Sequence, residues 1–208
     1  IVIDFFHWPH QGDWRFDEKY WSKDAVKAMT DELHAMGTKV MVSVWPSVDK
    51  RSENYYEMEQ KALMSTTDVG SVQTYDYEGD CGTVDFFNPE AQEFVWSKCK
   101  QNYRDWGIDL FWLDNSEPDS TTYDFENYRY YTGRGSKVGC EYPKKYVEAF
   151  CNGQEAEGDH EAVNLCRSAW VGSQKYRTLV WTGDVQSNFE SFKDQVIAGQ
   201  NMGLAGIP

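Results

Sequence analysis

The chain has 208 residues, 40% hydrophobic and 26% charged, which is the balance of a folded globular domain long enough for one buried core. Its formal charge of −14 repels phosphate backbones and anionic headgroups, so nucleic-acid and membrane-surface partners are disfavoured while neutral ligands remain compatible. The five cysteines, Cys81, Cys99, Cys140, Cys151 and Cys166, are odd in number and have no C-x-x-C spacing, which argues against a zinc ribbon or a redox motif.

Residues 1–6 open the chain as a continuous apolar run holding Asp4 and read as a strand. Residues 24–36 place Val26, Met29, Leu33 and Met36 at helical spacing, with Gly37 as the stop. A strand over 40–45 ends in Trp45 and is closed by Pro46, and residues 53–64 read as a helix. Asn88-Pro89 starts the next helix, a cap residue followed by proline at the first helical position, and this helix runs to Gly107. Residues 108–114 form a strand ending in Asp114, and residues 143–157 a helix opened by Pro143. Strands over 162–167 and 178–181 follow, then a helix over 188–198 and a final strand over 204–208. Residues 65–85 and the Tyr-rich stretch 123–140 are expected to loop over one end of the fold.

Six strands, most followed by a helix, mean an α/β fold with parallel pairing. An open doubly wound sheet gathers its ligand groups at one switch point. Here five separate strand ends carry ligand-suited side chains: Asp4, Trp45, Asp114, Arg167 and Asp184. A closed ring brings all of them to one mouth. The expectation is therefore a (β/α)8 TIM barrel, incomplete, with the second to seventh of eight strands present and residues 1–208 forming part of one catalytic domain. Natural domains rarely begin and end inside core strands, so a longer parent carrying the remaining barrel strands is expected, a natural domain with buried terminal strands being the alternative.

Two carboxylates dominate the chemistry. Asp114 follows the apolar run Phe111-Trp112-Leu113, so it reaches the rim partly desolvated, with Glu117 three residues on. A glycosidase needs such a group to stabilise an oxocarbenium-like transition state and trap it covalently. Asp184 follows Val180-Trp181-Thr182-Gly183. Apolar Trp181 and a nearby carboxylate would raise its proton affinity, as a general acid requires. Either acid could instead simply cap a loop or helix. Retention would set the two carboxyls about 5–5.5 Å apart and inversion about 6.5–9.5 Å. Arg167 offers a planar fork of donors for hydroxyls or a carboxylate, or a structural ion pair. Aromatics make up 16% of the chain, and their faces suit sugar rings, although most are expected to fill the core. His7 and His10 flank Pro9 without a third ligand of matching spacing, so no metal site is expected.

With these residues in place the chain resembles glycoside hydrolase family 31, the α-glucosidase and α-xylosidase family. The W-x-D-x-x-E segment over 112–117 resembles the family's nucleophile motif, which implies Asp114 as nucleophile. Residues 181–184, W-x-G-D, resemble its acid/base motif, which implies Asp184. Arg167-Ser168 matches a sugar-hydroxyl contact. The opening strand resembles the family's I-D-x-x segment, implying that Asp4 binds hydroxyls with Phe5 and Phe6 lining the pocket, and Trp45 matches an aromatic at the next strand end. Trp112, Glu117 and Trp181 complete the substrate-binding set.

The resemblance implies hydrolysis of terminal α-linked glucose or xylose by double displacement, with an oligosaccharide or α-glycoside as substrate and neither metal nor cofactor. A transglycosylase, a glucan lyase or a non-catalytic carbohydrate-binding relative are the alternatives on the same scaffold. Trp112 is nearer to the α-glucosidase form of the motif, whereas Phe5-Phe6-His7-Trp8 and Glu117-Pro118-Asp119 are nearer to xylosidase-like members. The family's substrate-contacting His, its first barrel strand and its β-domains lie outside this sequence, so residues 1–208 alone are expected to be inactive and poorly soluble. Homo-oligomerisation through segments beyond these residues, and a cytoplasmic or secreted location, are left open.

Overall fold

Short apolar runs bounded by turn residues become strands, and cap residues ahead of amphipathic runs open the helices. The structure, a computed structural model, describes residues 1–117 and 125–207. In chain order its first elements are β1 (Val2–Ile3), α1 (Lys23–Ala35), β2 (Met41–Val44), β3 (Ser47–Asp49), α2 (Tyr55–Gln60), β4 (Thr74–Asp76), β5 (Asp80–Thr83) and α3 (Pro89–Asn102). Then come β6 (Leu110–Leu113), β7 (Arg129–Tyr130), β8 (Gly133–Arg134), α4 (Gly135–Val138), α5 (Tyr142–Ala156), β9 (Asn164–Cys166), β10 (Thr178–Val180) and α6 (Phe189–Leu204).

Five strands form one sheet in the order β1-β2-β6-β9-β10, every pair parallel, as the strand–helix alternation requires. Register sets Val42 opposite Phe111, Ser43 opposite Trp112 and Val44 opposite Leu113. Side chains alternate across a strand, so Val42, Val44, Phe111 and Leu113 share one buried face while Ser43 and Trp112 share the other. The first face carries the core against α3 and α5, where Phe111 meets Phe150 at 5.0 Å and Trp96 at 5.8 Å between ring centres.

Local chemistry sets the helix ends. The Ser22 side chain accepts from the Ala25 N–H, that of Asn88 from Glu90 and that of Asn188 from Ser191, each satisfying a donor the helix cannot. α3 stops at Asn102 rather than running on to Gly107. A 3₁₀ turn over Arg104–Trp106 intervenes, and Gly107, at φ 98°, ends it. A Cβ at Gly107 would lie 2.4 Å from the Thr30 Oγ1. Thr30, rather than Met29 or Met36, is therefore the fully buried residue on its stretch of α1, donating to the Trp106 carbonyl at 3.0 Å, while Met36 lies exposed. Cys99 and Cys166 are buried as expected, and so are Cys81 and Cys151.

Further expectations need correction, among them the stretch 123–140, whose described part holds β7, β8 and α4 rather than loop alone. No strand forms over 204–207: α6 continues from 189 through Leu204, and Gly206 then turns at φ 74°, so the parallel sheet has five strands, not six. Pro208 lies outside the described residues. The strand ending at Val44 is followed by a second, antiparallel sheet of order β3-β5-β4, so residues 65–85 are partly strand rather than loop. The 53–64 helix shortens to α2, because Ala62 takes a left-handed φ of 52° and Leu63 turns into the core. Among the described residues the parallel sheet is open, with β1 and β10 at its edges.

Candidate active site

Because the five strands run in one direction, their C-terminal ends lie together, and the residues just beyond them converge. Asp4 follows β1, Trp45 follows β2, Asp114 follows β6, Arg167 follows β9, and Asp184 lies four residues past β10. All five line one cavity of about 530 Å³, together with Phe5, Tyr77, Trp112, Asn115 and Glu117. That volume falls in the roughly 300–1,000 Å³ range of small-molecule sites.

Arg167 is the hub. Its Nη1 lies 3.0 Å from Oδ2 of Asp184 and 3.6 Å from Oδ1 of Asp114, and its Nε lies 3.5 Å from Oε2 of Glu117. The two aspartates nonetheless sit in unlike settings. Asp114 has a side chain only 12% exposed, and burial raises its carboxyl above the usual range, opposed by the Asn115 N–H, which donates to Oδ1 at 2.8 Å, and by Arg167. The Asp184 side chain is 85% exposed, so the desolvation expected from Trp181 is not provided by the described residues. The reason is local: the strand ends at Val180, and Gly183, at φ 75°, turns Asp184 away from the packed face.

Asp4 is held from behind. The Phe5 N–H donates to its Oδ1 at 2.7 Å, and His7 Nδ1 donates to its carbonyl at 2.8 Å. A carbonyl can only accept, so the Nδ1–H tautomer is required, and the Tyr103 hydroxyl then donates to His7 Nε2 at 2.9 Å. Burial pushes the His7 imidazole down to about 4, which keeps it neutral near pH 7. His7 thus braces the turn after β1.

One wall of the cavity is a column of rings. Phe6 stacks on Phe5 at 3.8 Å, Phe5 on Trp45 at 5.2 Å, and Trp45 on Tyr77 at 5.3 Å. Trp45 is thus stacked on two neighbouring rings, Phe5 and Tyr77. The buried indole N–H groups of Trp45 and Trp112 have no protein partner among the described residues.

Of the residues expected from sequence, Asp4, Phe5, Trp45, Trp112, Asp114, Glu117, Arg167 and Asp184 come together here. Phe6 stands at the outer end of the ring column, largely exposed, and does not line the cavity. Trp181 also lies outside the lining and buttresses Trp112 edge-on at 5.4 Å. Pro118 and Asp119 lie outside the described residues. Sequence reading missed Tyr77 and Asn115. Tyr77 had a signal in the alternation of Tyr75 and Tyr77, a strand period inside a segment read as loop. Of the described residues in 125–140, none lines the cavity.

The lining carries four carboxylates against one guanidinium, a net negative field suited to a cationic transition state and hostile to an anionic ligand. Strand ends, paired acids and ring wall coincide with a known architecture. The sequence profile described as the glycosyl hydrolases family 31 TIM-barrel domain matches residues 1–208. The chain belongs to glycoside hydrolase family 31.

Among its relatives in that family, an uncharacterised family 31 glucosidase, ORF2, of Pseudescherichia vulneris is 49% identical over 208 residues. That match covers 100% of this chain and 39% of the relative. Alpha-xylosidase A of Aspergillus niger is 33% identical, covering 99% of this chain and 31% of its own length. A crystal structure of a family 31 α-xylosidase from a soil metagenome, complexed with xylose, superimposes with a TM-score of 0.94 at 50% identity, over 100% of this chain and 30% of that one. This family 31 domain thus spans 30–39% of the length of these relatives.

Proposed function

We propose that this domain supplies the sugar-binding and catalytic end of a retaining α-glycosidase that hydrolyses terminal α-linked xylosyl or glucosyl residues. The observation that carries the reading is one guanidinium within ion-pair reach of two carboxylates, Asp114 and Asp184, across a single cavity. One oxygen of each acid lies against the same nitrogen, which sets both carboxylates on one sugar-sized cavity as double displacement requires.

Asp114 attacks the anomeric carbon while Asp184 protonates the departing glycosidic oxygen, giving a glycosyl ester on Asp114. Asp184, now a base, takes a proton from water as that water hydrolyses the ester, and the two inversions sum to retention. The exposure of Asp184 suits this exchange with leaving group and water, and the burial of Asp114 strengthens its interaction with a developing positive charge. Asp4 and Arg167 take ring hydroxyls, one accepting and one donating.

Similarity to an α-xylosidase solved with xylose supports the xylosyl substrate, and similarity to a glucosidase supports the glucosyl one. Aryl α-xyloside and α-glucoside should be assayed side by side on the full-length protein, with the first-formed sugar followed by NMR. The expected outcome is an α-anomer first, with Asp184→Ala losing about 10²–10⁴-fold on poor leaving groups and far less on good ones. A β-anomer first, or an unimpaired Asp184→Ala, contradicts the reading.

A further inference from the structure

We propose that Asn115 is a positioning residue that sets the attacking oxygen of Asp114 by anchoring the chain after it to the small antiparallel sheet. This rests on the reading of Asp114 as nucleophile. Asn115 occupies the left-handed region at φ 48°, which asparagine tolerates better than most residues carrying a Cβ. In that turn its N–H reaches back to Oδ1 of Asp114 at 2.8 Å. Arg167 Nη1 lies 3.6 Å from the same oxygen, and among the described residues the hydrogen bond to the Asp114 carboxylate falls on Oδ1, which leaves Oδ2 without one and suited to attack.

The turn is not held by its own backbone alone. Asn115 Nδ2 donates to the Tyr75 hydroxyl at 3.2 Å and to Ser47 Oγ at 3.4 Å, and those two hydroxyls lie 2.5 Å apart. Ser47 belongs to β3 and Tyr75 to β4, and β5 pairs with both, Ser47 opposite Thr83 and Tyr75 opposite Cys81. Two residues beyond Tyr75, Tyr77 lines the cavity and stacks on Trp45. The excursion between Pro46 and Val84 therefore acts as a gauge: it presents a wall to the sugar and, through one amide, fixes the backbone turn on which the nucleophile sits. A carboxylate oxygen displaced by about 1 Å from the line of attack loses on the order of 10²-fold in rate.

The test uses the full-length protein with an aryl α-glycoside and the variants Asn115→Ala, Asn115→Gly, Tyr75→Phe and Asp114→Ala. Asn115→Ala is expected to lower kcat about 10- to 100-fold with KM little changed. The acid limb of its kcat/KM profile should move to higher pH, because the Asn115 N–H favours ionised Asp114. Asn115→Gly keeps the left-handed turn and should recover part of the loss, while Tyr75→Phe, with Ser47 still accepting, should shift rate and limb in the same direction by less. A purely structural role would scale the whole profile with the folded fraction and leave the limb in place, and that outcome overturns the proposal, as do wild-type rates in both Asn115→Ala and Tyr75→Phe. Asp114→Ala separates the two readings. If it is inactive while the Asn115 variants behave as wild type, only the positioning role fails; if it is active, the nucleophile assignment itself fails.

Discussion

At the scale of single residues, burial decides what each acid can do. Asp114 is enclosed and Asp184 open, although one guanidinium touches both. A third acid, Asp85, lies outside the cavity, its oxygens accepting from the Phe87 N–H at 3.0 Å and the Tyr131 N–H at 2.6 Å. Burial pushes its carboxyl up to about 6, from about 3.9 in an unfolded chain. The folded state therefore holds the extra proton between those values, so the group's contribution to stability is complete below about pH 4 and is lost as pH rises through about 6, by on the order of 3 kcal/mol. Asp85→Asn should remove this dependence. The unfolding free energy of the variant relative to the parent is expected to rise by about 3 kcal/mol from pH 4 to pH 7, and a constant difference across that range contradicts the assignment. Asp4, Asp114, Arg167 and Asp184 were legible in the sequence because each follows an apolar run that must be a strand. Asn115 and Asp85 were not, because what matters about them is a contact with residues some forty or more positions away.

At the scale of elements, the parallel strands and the capped helices α1 and α3 could be read directly from periodicity and cap chemistry. What misled was short-range ambiguity. Leu204-Ala205-Gly206-Ile207 has the composition of a strand, yet the helix opened by Asn188 carries on through Gly199 and Gly203. The antiparallel excursion was hidden because its strands are three or four residues long and polar. Packing between helices has its own signature at Gly153 on α5, where an added Cβ would lie 2.2 Å from the Trp96 ring of α3. Gly153→Ala is thus expected to cost about 1–3 kcal/mol by overpacking, despite the better helix propensity of alanine. Denaturant unfolding checks this; an unchanged or higher midpoint would show that α3 and α5 can separate without loss.

At the scale of the whole molecule, strand direction is what makes a site. Five parallel strands deliver three aspartates, an arginine and a tryptophan to one end, and no single strand carries enough chemistry to act alone. The charge of −14 agrees with a cavity lined by more acids than bases, and no described helix is long and apolar enough to cross a membrane. The most direct measurement is covalent capture. The full-length protein would be incubated with a 5-fluoro α-glycosyl fluoride, which forms the glycosyl ester faster than it is hydrolysed, then digested and mapped by mass spectrometry. The sugar is expected on Asp114; a stable adduct on Asp4, Glu117 or Asp184 would contradict the account.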